Sequence, residues 1–240
     1  MGGDESLDER FARRFAQIQA RIEEACRRAA RPAGSVALIG VSKTQPADAL
    51  AAAWRAGLRV FGENRVQEAL AKSPGLPPEI EWHLIGPLQS NKVRAALGLF
   101  RIIHSIDRPG IAEAVDREAG TRGLAVTGFL EVNLGGEESK HGFAPEGLAE
   151  AALPLSRLRH LRIAGLMAIP PPGDSPEDSR PWFRRLRELR DGLAARSEWQ
   201  GFPGWLSMGM SDDFEVAVEE GATHVRVGTA LFGPREARQG

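Results

Sequence analysis

The sequence predicts an α/β fold, a single (β/α)8 TIM barrel with an extra N-terminal helix. Three observations carry that expectation. From Val36 onward, short apolar runs alternate with helical patterns, the order that gives parallel strands. Eight such units follow one another, the number that closes a barrel. The 240 residues also suit the ~250 typical of one such barrel. An open doubly wound sheet is the alternative use of the same alternation. The expected organisation is 1–34 for a helix packed on the barrel and 35–240 for the barrel itself, one domain overall.

The elements follow in order. Ser6 and Glu9 have the spacing of a capping box. Behind them Leu7, Phe11, Phe15, Ile18 and Ile22 recur every three or four residues. That apolar stripe predicts a helix to about Ala30, ended by Pro32 and Gly34. Strands are expected at Ala37–Val41, Arg59–Phe61, Trp82–Ile85, Ile102–Ser105, Ala125–Val132, Ala164–Ile169, Trp205–Met208 and His224–Val227. Between them helices are expected at Ala47–Ala56, Arg65–Lys72, Ser90–Leu97, Pro109–Ala119, Pro145–Ser156, Pro176–Arg196 and Asp212–Glu220, with a last short helix after Gly233. Pro170–Ser179 (PPPGDSPEDS) reads as a surface loop, because its prolines continue neither a helix nor a sheet ladder.

Composition narrows the function classes. Lys+Arg and Asp+Glu nearly cancel, at 31 and 32, which argues against nucleic acid as a partner. One cysteine, Cys26, leaves no intramolecular disulfide framework. No apolar run approaches the ~20 residues of a membrane helix, and the polar, acidic N-terminus is unlike a signal peptide. A cytoplasmic protein with no membrane partner is the expectation. The five histidines are scattered, with no zinc-ligand spacing, so no metal site is expected. The run Arg184, Arg185, Arg187, Arg190 reads as a solvated helix face.

Barrel active sites lie at the carboxyl ends of the strands. The first strand runs VALIGVSKTQ, and Lys43 is its single charge; no other lies between Pro32 and Asp48. A cation at the end of a buried strand is costly without a role, and a lysine amine is a nucleophile towards aldehydes. Lys43 is therefore read as the carrier of pyridoxal 5'-phosphate (PLP), held as a Schiff base; a lysine snorkelling out of a strand end is the plain alternative. Ser211, as N-cap of the helix at Asp212, and Gly228-Thr229 at the mouth of the eighth strand offer amides and hydroxyls for a phosphate. A capped helix and a tight turn would explain the same residues. Arg226 interrupts an apolar strand and alternates inward. It suits the pyridine nitrogen of the cofactor, or else an ion pair with a carboxylate.

The motifs VSKTQP, FGENRVQE, WHLIGPLQSNK, HSID, GLMAIP and LSMGMSDDFEVAVEEGATHVRVGTALFG run in this order from about residue 36 to 233. Together they resemble the pyridoxal phosphate homeostasis proteins, the YggS/PROSC family. The resemblance implies a barrel like the N-terminal domain of alanine racemase (PLP fold type III), with PLP on Lys43, phosphate contacts at Ser211, Gly228 and Thr229, Arg226 at the ring nitrogen and Asn64 lining the pocket. Two positions depart from the family's pattern: Arg65 follows GEN where a tyrosine is common, and His141 stands where a small hydroxyl residue is usual.

The resemblance also implies a protein that binds PLP and keeps its free level low but available, a monomer whose acceptors are PLP-dependent apoenzymes, with no catalytic residues. Alanine racemase adds a second domain that brings a tyrosine base. This sequence ends at Gly240 and holds no tyrosine, so that base is not expected here, and racemisation needs a base on each face of the substrate carbon. The alternatives are a weak PLP-dependent racemase or lyase, drawing a base from His83, His104 or Lys140, and a phosphosugar-type barrel without PLP.

Overall fold

A computed structural model describes residues 5–137 and 141–233. Eight parallel strands form a closed barrel in chain order: β1 (Ala37–Val41), β2 (Val60–Glu63), β3 (Glu81–Leu84), β4 (Ile102–Ile106), β5 (Val126–Glu131), β6 (Leu161–Met167), β7 (Trp205–Ser207) and β8 (His224–Val227). The sheet closes where β1 pairs with β8, Ala37 opposite His224 and Ile39 opposite Arg226. The predicted barrel is the fold found, and the open sheet does not apply. Gly165 lets β6 and β7 approach: a Cβ there would lie 2.1 Å from the Trp205 carbonyl oxygen, so no other residue fits.

The helices are α1 (Leu7–Arg28), α2 (Ala47–Arg55), α3 (Val66–Lys72), α4 (Val93–Ala96), α5 (Pro109–Thr121), α6 (Leu148–Ala152), α7 (Arg180–Ala194), α8 (Phe214–Glu219) and α9 (Thr229–Phe232). Ser6 and Glu9 close the predicted capping box of α1. Its stripe buries Phe11, Ile18 and Ile22 in the common core, and Arg21 and Arg28 pair with Glu215 and Glu219 on α8. Exposed ion pairs contribute at most about 1 kcal/mol each, so apolar burial is what holds α1 down.

The differences from expectation have local causes. The helix expected at Pro145–Ser156 divides into α6 and a 3-10 turn over Leu153–Arg157, because Pro154 lacks an N–H to continue the α ladder. The end of the expected loop, Pro176–Ser179, is a 3-10 turn capped by Ser175 and Asp178. A short helix, α9, precedes Gly233; the one expected after it falls outside the described residues. The arginine face of α7 is only partly solvated. Arg184 and Arg187, with Arg180, converge on Glu220, which is buried at the end of α8. Among the described residues no helix is long and apolar enough to cross a membrane.

Candidate functional site

β1 hands over directly to the turn that bears Lys43. Strand alternation puts Ile39 and Val41 on one face, Ile39 is in register with Arg226 on β8, and Lys43 follows two residues after the end of β1. Lys43 is half-buried. The next residue, Thr44, has φ +65°, a left-handed conformation that strains a β-branched side chain by about 1–3 kcal/mol.

What holds this turn is a polar brace outside the barrel wall. Thr44 N–H donates to the Glu68 carboxylate. Lys72 Nζ donates to the Ser42 carbonyl at 2.9 Å, to Glu63 Oε1 at 2.9 Å and to Glu68 Oε1 at 2.7 Å. Ser42 Oγ donates to Glu63 Oε1 at 2.7 Å. Glu63 is fully buried. Burial pushes its carboxyl upward, and the hydrogen bonds from Ser42 and Lys72 offset part of that. Glu63, in the FGENRVQE motif, and Glu68 and Lys72 on α3 were not among the residues expected at the site. The i,i+4 spacing of Glu68 and Lys72 was the available signal.

At the ends of β7 and β8, Ser211 Oγ accepts from Gly228 N–H at 3.2 Å and Ala230 N–H at 3.3 Å. This corrects its expected capping role. α8 begins later, at Phe214, and Asp213 holds the turn instead, its carboxylate accepting from Met210 N–H at 2.7 Å and Ser179 Oγ at 2.8 Å. Gly209, at φ +90°, would put a Cβ 2.5 Å from that of Ala217; it serves the packing of α8. A Cβ at Gly228 would lie in ordinary contact with Val41, 3.5 Å from its Cβ.

Arg226 points inward and is buried. Its Nη1 donates to Ser207 Oγ at 2.7 Å and its Nη2 to the Ala168 carbonyl at 3.0 Å. No salt bridge involving it occurs among the described residues. Burial pulls it down to about 10, opposed by the charges of Asp213 and Glu131; it remains a cation at neutral pH. Glu131, at the end of β5, is raised to about 7 by burial and by Asp107, with Arg226 opposing.

Below Arg226 lies a cluster the linear sequence concealed. His83, His104 and His224, distant in the chain, meet inside the barrel: the His83 and His104 ring centroids are 5.0 Å apart, those of His104 and His224 5.8 Å. Inward parity on β3, β4 and β8 was the signal. No metal-binding group occurs among the described residues. Burial depresses His224 to about 3 and holds His104 well below its usual value. The unfolded chain therefore takes up protons below about pH 6.5 that the folded state refuses, and stability falls as pH drops. His224→Asn should flatten the acid limb of stability against pH by about 1.4 kcal/mol per unit between roughly pH 6 and pH 4, read from denaturant melts; an unchanged slope would contradict the burial account.

On the β2–β4 side of the mouth, Asn64 lines a cleft with Arg65, Gln89, Lys92, Arg108 and His141. Of the two departures, Arg65 lines this cleft and His141 Nδ1 lies 3.7 Å from the buried Asp107 carboxylate. Lys43 does not line this cleft. The structure gathers Lys43, Ser211, Arg226, Gly228 and Thr229 around β1, β7 and β8, with Asn64 across the mouth. Gly86 sets the Asn64 backbone, since a Cβ there would lie 2.4 Å from the Asn64 carbonyl oxygen. Gly86→Ala should cost about 2–3 kcal/mol in a thermal melt, against no change if the loop were free to shift.

An eight-stranded barrel with an amine at the first strand and hydroxyl–amide donors at the last two defines a class: the chain matches the family described as "Alanine racemase, N-terminal domain" over residues 15–236 and belongs to it. Within that class it belongs with the pyridoxal phosphate homeostasis proteins. It is 47% identical to the Aquifex aeolicus protein of that name over 215 residues, 89% of this chain and 93% of that one. It is 48% identical to the Pseudomonas aeruginosa protein, covering 89% and 90%. The structure of PipY from Synechococcus elongatus with PLP bound superposes with a TM-score of 0.80 at 41% identity, over 93% of this chain and all of that one. Alanine racemase of Clostridium difficile shares the fold alone, at TM-score 0.64 and 13% identity.

Proposed function

We propose that this protein binds PLP covalently through Lys43 and serves intracellular PLP homeostasis as a carrier without robust turnover. The observation that carries the reading is the convergence of three unlike groups on one barrel end. Lys43 supplies an amine, Ser211 with the Gly228 and Ala230 amides a polar cradle beside Thr229, and Arg226 a buried donor. PLP has an aldehyde, a phosphate and a ring nitrogen to match, and the PipY relative holds PLP. When bound, PLP supplies an electrophilic carbon that condenses with an amine. The chain's own residues hold the phosphate on uncharged donors, and a cationic Arg226 opposes protonation of the ring, which weakens the electron sink that amino-acid chemistry requires.

Of the bases named for the weak racemase or lyase reading, His83 and His104 are buried inside the barrel, and Lys140 lies outside the described residues. Delivery to apoenzymes, a monomeric state and a cytoplasmic setting complete the proposal. Two measurements test it. Titration with PLP should give a visible absorption band, which a phosphosugar barrel would lack. Amino acids incubated with the loaded protein in deuterium oxide should keep their α-hydrogen; exchange with turnover would establish an enzyme instead.

A further inference from the structure

Four hydrogen bonds run in series through the barrel interior. Arg226 Nη1 donates to Ser207 Oγ at 2.7 Å, and Ser207 Oγ lies 2.7 Å from His104 Nδ1. His104 Nε2 lies 2.9 Å from His83 Nδ1, and His83 Nε2 lies 3.0 Å from Glu81 Oε1. The Glu81 side chain is 54% exposed, at the barrel floor, so the chain connects solvent on one side with the buried Arg226 guanidinium on the other.

Both ends are chemically fixed, since a guanidinium only donates and a carboxylate only accepts. The hydrogen bond from His83 holds the Glu81 carboxyl below its usual range, so the acceptor end is ionised at neutral pH. With a single proton on each imidazole, one arrangement satisfies every bond: Ser207 donates to His104 Nδ1, His104 Nε2–H to His83 Nδ1, and His83 Nε2–H to Glu81. The reverse order would aim an imidazole lone pair at the Glu81 carboxylate and leave the Ser207 proton without an acceptor, which is costly when buried. Phe129 stacks on His104 at 4.2 Å with planes 10° apart, fixing the ring that the relay must cross. The other titratable or charged groups facing this chain are His224 beside His104, and Glu131 and Asp213 opposite Arg226.

We propose that Glu81, His83, His104 and Ser207 are positioning residues, a one-directional hydrogen-bond relay that orients the buried Arg226 guanidinium from the barrel floor. In its bearing on PLP this rests on the function proposed above. The relay itself exists without the cofactor, so two kinds of measurement are paired.

In the first, nitrogen-15 NMR of the cofactor-free protein at neutral pH reads the histidine tautomers. The relay places the His83 and His104 protons on Nε2 with each Nδ1 accepting, and Glu81→Gln, which removes the charge that sets direction, should give mixed tautomers at both rings. A wild-type His104 protonated at Nδ1, or tautomers indifferent to Glu81→Gln, would overturn the relay. In the second, Ser207→Ala should weaken PLP binding about tenfold, the size of one lost charge-assisted hydrogen bond, and move the pH profile of the visible band. Glu81→Gln should move the same profile less. A Ser207→Ala protein matching wild type in both affinity and profile would refute the link to Arg226. If wild type bound no PLP at all, the functional proposal would fail while the tautomer result stood.

Discussion

Lys43→Ala is expected to abolish PLP that borohydride can trap and to weaken equilibrium binding about 100-fold, or roughly 2.7 kcal/mol. The residual binding would come from the hydroxyl and amides around Ser211 and from Arg226, which the substitution leaves in place. Lys43 lies past the last residue of β1 and is half-buried, so folding should change by less than about 1 kcal/mol. Lys43→Arg separates the two properties of the side chain. It keeps a cation but offers no nucleophilic amine at neutral pH, and should resemble the alanine variant in trapping. A titration that found either variant binding PLP like wild type would remove Lys43 from its role.

Lys72→Met is expected to be the most damaging single change to stability in the neighbourhood of the site, at about 3–5 kcal/mol. It removes the three-way donor to the Ser42 carbonyl, Glu63 and Glu68. A fully buried carboxyl is then left with Ser42 Oγ, while Glu63 Oε2 already has no partner among the described residues. Breaking one member of a buried pair costs more than removing both. The double variant Glu63→Gln with Lys72→Met should therefore recover about 2 kcal/mol. Chemical denaturation of the single and double variants reads this directly; strictly additive losses would show that the brace is not a coupled unit. Because the same lysine anchors the strained turn at Thr44, the single variant should also bind PLP more weakly than its remaining folded fraction accounts for.

Period and punctuation made the barrel legible. Most of the eight strands are short apolar runs followed within two residues by a polar residue or glycine, β6 with its Ala168-Ile169-Pro170 exit being the exception, and the capping box at Ser6 marks the first helix. Lys43 and Arg226 were legible for one reason: each is a charge inside an apolar strand pattern, and such a charge needs a partner. Ser211 was misread because a serine before Asp-Asp looks like a helix cap. Only the turn at Gly209 and the late start of α8 show its hydroxyl facing the next strand's amides. The histidine cluster was hidden because His83, His104 and His224 are far apart in sequence, and it exists only once the barrel closes and parity turns them to one axis. Lys72 was hidden as an ordinary member of a helix surface, since its task lies across the gap to Ser42 rather than along α3.

The central claim is that one particular amine carries the cofactor. Wild-type protein incubated with PLP, reduced with borohydride and digested should yield a single modified peptide, the one containing Lys43. Stable label confined to Lys72, Lys92 or any other lysine, or bound PLP that reduction fails to fix to the chain, would contradict it.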